Sequence, residues 1–251
     1  GCTYNDIVDQ DLDAKVERTA LRPLPAKTIT TKQAWIWVFA QCFVGLIVLL
    51  CLPRLAQIIA LCSIPLVAAY PFMKRITWWP QVWLGLTFNW AVLVAFAAKT
   101  GEINLPLLLL YAGLIFWTIG YDTIYACQDI EDDAMIGVKS TARRFGSKLV
   151  TGVKVSYLLC FTFIFTAYFS LIFQTNLGAI IFFWSVFIFY PCGFAYHLWW
   201  QTKTFKEKGK QKALFLFKSN SWAGLILIMG FTLAGYTLHG NLFENFGGLF
   251  S

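Results

Sequence analysis

The chain has 251 residues, a mass of 28.5 kDa, a formal net charge of +7 and a mean hydropathy of +0.63. Charged residues make up only 13% of it and hydrophobic residues 58%, where a soluble domain carries about 25% charged residues. That balance excludes a disordered chain, a secreted disulfide scaffold and an ordinary soluble enzyme.

Residues 1–32 are polar and contain Arg22-Pro23-Leu24-Pro25, so a helix there must stop before the prolines. Apolar runs then predict seven spans at 33–52, 55–73, 79–98, 104–126, 150–173, 177–199 and 220–238. Each approaches the ~20 residues that a helix needs to cross a ~30 Å hydrocarbon core. Two connections are longer, 127–149 (acidic, then basic) and the Lys-rich 200–219. The reading is all-α: a polytopic transmembrane helical bundle forming one membrane-embedded domain over 1–251. The chain opens on Gly1-Cys2-Thr3 with neither an initiator Met nor a signal peptide pattern, and the expectation is a sequence that lacks its start. The seven Cys have no CxxC or metal-ligand spacing and read as packing residues.

Because spans alternate in direction, segments 1–32, 74–78, 127–149 and 200–219 share one face. With Lys154, that face holds all the Lys and Arg except Arg54 and Lys99. Such asymmetry assigns it to the cytoplasm, or to the matrix of an organelle. It also accounts for the positive charge without nucleic acid, which is not an expected partner; membrane lipid is. Trp35, Trp37, Trp78, Trp79, Trp199, Trp200 and Trp222 fall near the same boundary, where indoles favour the interface.

The carboxylates are the informative residues. Asp6, Asp9, Asp11, Asp13 and Glu17 form one cluster; Asp122, Asp129, Glu131, Asp132 and Asp133 form another. Four crossings separate them, so both finish on the same face. Asn5, Asp9 and Asp13 stand at i, i+4, i+8, and Asp122, Tyr125, Asp129 and Asp133 at i, i+3, i+7, i+11. The spacing is helical within each cluster, and at about 100° per residue each set covers a face under roughly 90° wide. Like charges so placed repel, and a charge within a span costs at least about 2.5–3.5 kcal/mol. Asp11, Glu17, Glu131 and Asp132 read as solvated acids flanking helix ends, whereas Asp9, Asp13, Asp129 and Asp133 read as metal ligands. Mg²⁺ binds through one or two carboxylates plus substrate phosphates, so two clusters point to a diphosphate. Lys15, Arg18, Arg22, Lys139, Arg143 and Arg144 stand beside the acids and suit phosphate oxygens, or simply follow the positive-inside pattern.

Asn5-Asp6-x-x-Asp9-x-x-x-Asp13, followed by Arg18-Thr19-x-x-Arg22-Pro23-Leu24-Pro25, resembles the first signature of UbiA-type membrane prenyltransferases. Asp122-x-x-Tyr125-Ala126-x-x-Asp129-x-x-x-Asp133, running on to Gly137-x-Lys139-Ser140-Thr141-Ala142, resembles the second. Within that superfamily the 4-hydroxybenzoate polyprenyltransferase branch is most similar, notably at Tyr121–Ala126 and at Tyr70-Pro71-Phe72-Met73-Lys74-Arg75.

The resemblance implies a nine-helix bundle, of which this chain would hold seven spans, with a cavity opening to lipid. It implies transfer of a polyprenyl group from polyprenyl diphosphate to the ring carbon ortho to the phenol of 4-hydroxybenzoate, for ubiquinone biosynthesis. Mg²⁺ would be held by Asp9, Asp13, Asp129 and Asp133, with Asn5 in the metal or phosphate shell. Arg18, Arg22 and Lys139 would join substrate binding, Arg75 would take the benzoate carboxylate, and Asp122 and Tyr125 would orient or deprotonate the phenol. A bacterial or mitochondrial inner membrane is the implied location, with the site at the cytoplasmic or matrix face. A haem O synthase, a menaquinone-pathway enzyme or a homogentisate prenyltransferase would share the aspartates. A divalent-cation transporter would instead want acids at mid-membrane depth.

Overall fold

The computed structural model describes the backbone of residues 1–172 and 177–238, and the side chains of these except 17–18, 171–172, 177–189 and 233–238. The described residues are helical, with no strand among them. Six stretches among them are long and apolar enough to cross a membrane: Thr31–Leu50, Arg54–Ile76, Pro80–Thr100, Leu105–Ala126, Thr141–Ser170 and Lys210–Thr232. They match six of the seven expected spans. The remaining one, 177–199, falls mainly on side chains outside the described residues. The chain divides into two compact units, Gly1–Ile103 with Asp129–Gly146, and Asn104–Gln128 with Ser147–Ser251.

In the first unit, α1 (Cys2–Asp13) and the single turn α2 (Glu17–Ala20) precede the proline-bearing stretch, as expected. Helix α3 (Thr31–Leu50) starts on a capping box: Thr30 Oγ1 accepts from the Gln33 N–H, and Gln33 Oε1 accepts from the Thr30 N–H. Two orphan donors at the helix start are satisfied in this way. Phe39, Phe43 and Leu50 of α3 are each about two-thirds exposed, as befits a lipid-facing helix.

The next two spans are each broken in the middle. One consists of α4 (Arg54–Cys62) and α5 (Ile64–Ile76), the other of α6 (Pro80–Phe88) and α7 (Trp90–Thr100). Pro65 has no N–H to continue the ladder, and the Ser63 N–H turns to Ala60 O rather than Ile59 O. The indole N–H of Trp90 donates to Ile59 O at 2.8 Å. Inside a bilayer a released carbonyl must find a protein donor, and this tryptophan supplies it. After α7, the acidic-then-basic connection folds into α9 (Ile130–Met135) and α10 (Thr141–Phe145) of the same unit, while α8 (Leu105–Ala126) belongs to the other.

The second unit packs α8 with α11 (Leu149–Ile172), α12 (Leu177–Lys208) and α13 (Lys210–Leu238). Gly113 and Gly120, two turns apart on α8, lie so close to α11 that an added Cβ would meet Ile164 Cγ1 at 2.5 Å and the Tyr157 ring at 2.1 Å. Small residues are what let two membrane helices approach so closely. Gln201, fully buried, accepts from Tyr157 Oη and donates to Leu216 O (2.8 Å) and Ser219 Oγ (2.9 Å). This polar group ties α11, α12 and α13 together.

Two expectations from spacing need correction. Residues 200–219 are not a long loop: α12 runs to Lys208 and α13 begins at Lys210, with Gly209 between them at φ +52°. The lysines mislead because their long stems keep the charges in water while Phe205, Ala213 and Leu216 are buried beneath. Nor does the second acidic set lie on one continuous helical face. Helix α8 ends at Ala126, and Asp129 stands just before α9 at φ −104°, ψ 12°. Its helical spacing is real in sequence, but the helix ends and a turn intervenes between Tyr125 and Asp129.

Candidate functional site

Asp9 and Asp13 are buried on α1, and buried carboxylates require partners. Asp9 has two. Arg75 Nη2 donates to Asp9 Oδ1 at 3.1 Å and to Val8 O at 2.8 Å, while Lys74 Nζ stands 2.7 Å from Asp9 Oδ2. The Lys74 contact is an ion pair without hydrogen-bond alignment, which leaves Oδ2 otherwise unbonded. Arg22 Nη1 bridges Asp13 Oδ2 (2.8 Å) and Asp6 Oδ1 (3.0 Å). Burial raises the Asp6 carboxyl above its ordinary value, and the Arg22 guanidinium works in the opposite direction. Thr19 Oγ1 donates to Asp13 O at 2.9 Å, which closes the turn that brings Arg22 back to α1.

The tail of the second motif has an equally specific local fold. Gly137 takes φ +76°, and the Val138 N–H returns to Asp133 O at 2.9 Å; this is the Schellman closure of α9, for which a left-handed glycine is suited. Arg143 Nη1 donates to Asp133 O (3.2 Å) and to Val138 O, with its guanidinium over the Trp78 ring. Ser140 caps α10 by accepting from the Arg143 N–H, and the Thr141 N–H reaches the buried Gln81 Oε1 at 3.0 Å. Lys139 binds the end of α5 twice, its backbone N–H to Lys74 O (2.8 Å) and its Nζ to Ile76 O (3.0 Å).

Lys74 therefore touches both motifs, pairing with Asp9 through its ammonium and holding Lys139 through its carbonyl. Asp9, Asp13, Arg22, Arg75 and Lys139 are gathered around these contacts. Asn5 is half-buried one turn before Asp9, and Asp129 and Asp133 are half-buried at the start of and within α9. The side chain of Arg18 lies outside the described residues. Asp122 and Tyr125 lie on α8 in the other unit, half-buried, with the Tyr125 ring 4.5 Å from Phe217. Sequence reasoning missed Asp6 as a partner of Arg22, Lys74 as more than an anchor, and Gln81 and Phe217 altogether. For Gln81 a signal existed: an amide within an apolar run must bond to something.

A model of the UbiA prenyltransferase family matches residues 1–222. The chain belongs to the UbiA prenyltransferase family. Among curated UbiA-family relatives, the mitochondrial 4-hydroxybenzoate polyprenyltransferase of Drosophila melanogaster is 51% identical over 147 residues, 58% of this chain and 38% of its own length. The Arabidopsis thaliana protein of the same name is 38% identical over 234 residues, 93% of this chain and 55% of its own. The chain thus spans about half the length, or less, of these curated relatives. A UbiA homolog from Aeropyrum pernix K1, solved in its apo form, superposes with a TM-score of 0.71 at 22% identity, over 93% of this chain and 83% of that one. A UbiA homolog from Archaeoglobus fulgidus, solved bound to DMAPP and Mg²⁺, gives 0.63 at 16% identity, over 93% and 82%. At these identities the two structures bear on the fold, which is the UbiA helical fold in an integral membrane protein.

Proposed function

We propose that the protein carrying this chain transfers a polyprenyl group from polyprenyl diphosphate to 4-hydroxybenzoate, at the ring carbon ortho to the hydroxyl, in the mitochondrial inner membrane. The observation that carries the reading is that Lys74 joins Asp9 of the first motif to Lys139 in the tail of the second, in a chain half-identical to curated 4-hydroxybenzoate polyprenyltransferases over 147 residues. The mitochondrial placement and the acceptor both follow those relatives.

Mg²⁺ is the cofactor that fits. Carboxylates are the hard oxygen donors it takes, and Asp9 Oδ2, buried without a hydrogen-bond partner among the described residues and 2.7 Å from the Lys74 ammonium, is suited to a cation. Mg²⁺ needs only one or two carboxylates at a site, because it completes its shell with substrate phosphates. Asp9 and Asp13 would hold it at one site, with Asn5 beside Asp9, and Asp129 and Asp133 at the other. When bound, it supplies Lewis-acid polarisation of the diphosphate.

The chain's own residues do the rest. Arg22 and Lys139 receive phosphate oxygens through charge-assisted hydrogen bonds, and they stabilise the diphosphate that departs with the electron pair of the allylic C–O bond. Arg75 holds the carboxylate of the acceptor. Asp122 and Tyr125 orient the phenol, whose electron-rich ring attacks the allylic carbon and then loses its ring proton to the departed diphosphate.

The test reconstitutes the full-length protein in liposomes with geranyl diphosphate, labelled 4-hydroxybenzoate and Mg²⁺. Prenylated product is expected, chelation should abolish it, and Asp9→Ala or Asp129→Ala should retain less than about 1% of turnover, in line with the 10²–10³-fold typical of one lost electrostatic group, while melting as a folded protein. Undiminished product in either variant would overturn the metal assignment. Prenylation of another aromatic acceptor but not of 4-hydroxybenzoate would overturn the substrate.

A further inference from the structure

The α12–α13 hairpin holds a crevice that plays no part in the proposed reaction. It has a volume of about 330 Å³ and is lined by His197, Trp200, Phe215, Lys218, Ser219 and Trp222. Its walls are ring on ring: His197 to Trp200 at 5.6 Å, and Trp200 edge-on to Phe215 at 6.0 Å. The Ser219 hydroxyl is used internally, donating to Leu216 O and accepting from Gln201. The other polar groups are not. Among the described residues, no hydrogen bond or ion pair engages Lys218 Nζ or the indole N–H of Trp200 or Trp222, and His197 Nε2 is enclosed without a partner.

Lys218 stands within the apolar stretch Lys210–Thr232, where an ammonium is costly unless it reaches headgroup depth. Trp199, Trp200 and Trp222 mark that depth, as interfacial indoles do. Lys203, Lys206, Lys208, Lys210 and Lys212 surround the turn, against one acid, Glu207. Below Trp222 on the same face of α13, Leu225 and Met229 are about half exposed. The crevice therefore offers cationic and N–H donors at its mouth and an apolar track leading away from them. A basic pocket between membrane helices at the positively charged face is the chemistry that takes an anionic lipid headgroup.

We propose that this crevice binds the phosphate headgroup of an anionic phospholipid, with Lys218 as the cationic partner and an acyl chain along Leu225 and Met229. The site lies wholly in the second unit and stands whether or not the acceptor assignment above is right.

The experiment is native mass spectrometry of the delipidated protein in detergent, titrated with phosphatidylglycerol or with phosphatidylcholine. Wild type should retain one phosphatidylglycerol at least about tenfold more tightly than phosphatidylcholine, the size expected for a charge-assisted contact. Lys218→Gln should lose that preference and Lys218→Arg should keep it. Lys206→Gln removes the same charge outside the crevice and should leave the preference intact. A wild type without preference, or an equal loss in the Lys218→Gln and Lys206→Gln proteins, overturns the site. So does displacement of the lipid by inorganic phosphate at equal concentration, which would assign the crevice to free phosphate. Trp222→Leu, which removes a wall but no charge, should weaken binding severalfold, and an unchanged affinity there also counts against it.

Discussion

Asp9 is held by two cations of different geometry, and this permits a clean kinetic separation. Lys74 lies against Oδ2 while Arg75 forks between Oδ1 and Val8 O. Removing Arg75 leaves the buried carboxylate still paired, so the donor side of the site survives. Arg75→Ala should therefore leave the KM for prenyl diphosphate almost unchanged. It should lower kcat/KM for 4-hydroxybenzoate roughly ten- to a hundredfold, the worth of one charge-assisted hydrogen bond. Steady-state kinetics at saturating donor, with the benzoate varied, decides this; unaltered acceptor constants would make Arg75 a clamp for Asp9 alone. Asp6 gives a second prediction at this scale. Its folded carboxyl is raised above 3.8, chiefly by burial, so the native state binds that proton more tightly than the unfolded chain does. The associated stability is present below the ordinary Asp value and declines as pH rises through the raised one. Wild type should thus lose melting temperature relative to Asp6→Asn as pH climbs through the range just above 3.8. Parallel melting curves for the two proteins would show that Asp6 contributes no such dependence.

Individual helices show where sequence pattern carries meaning and where it fails. Helix α1 was legible because Asn5, Asp9 and Asp13 recur at the helical period and nothing between them breaks a helix. Asp129 and Asp133 keep the same period with Asp122 and Tyr125, yet the helix stops at Ala126, since the carbonyls near its end are satisfied by turn bonds such as Cys127 N–H to Ile124 O. Periodicity reports spacing, not continuity. The pairing of Asp9 with residues 66 positions away was illegible for a different reason: no local pattern encodes which distant cation meets which acid. The hairpin turn at Gly209 was hidden by lysines that read as loop. The approach of α8 to α11 was also unread, and it yields a sharp test. Gly113→Ala sets a Cβ 3.0 Å from the backbone nitrogen of Ile164, and a helix backbone cannot step aside as a side chain can. Overpacking of this kind costs about 1–3 kcal/mol. Gly224→Ala meets only Trp117 at 3.6 Å and should be neutral. Thermal melting in detergent compares the two, and equal midpoints would mean that the helices are not locked at Gly113.

At the scale of the whole molecule, the membrane character and six of the spans were legible because hydropathy and length are global sums that survive local irregularity. The breaks at Ser63 and Asn89 do not interrupt them, as each pair of half-helices still adds up to one crossing. Three spans lie between Ala26 and Glu102, both at exposed positions. Single cysteines at these two sites, in a Cys-free background, should react with an impermeant maleimide from opposite sides of a sealed vesicle. Labelling of both from one side would mean that one broken span turns back instead of crossing.

The clamp on Asp9 also imposes an order of events during synthesis. Its partners lie 65 and 66 residues downstream. At about 5–20 residues per second, Lys74 and Arg75 leave the ribosome roughly 3–13 s after Asp9 does. Throughout that interval the two cations that pair with it in the folded chain do not yet exist, and enclosing it without them would cost several kcal/mol. Helix α1 must therefore wait in contact with water while α3 and α4 enter the bilayer, and it can dock only once the C-terminal end of α5 has emerged. The ion pair thus acts as a timing device, keeping the first acidic motif from being buried before the wall of its site exists.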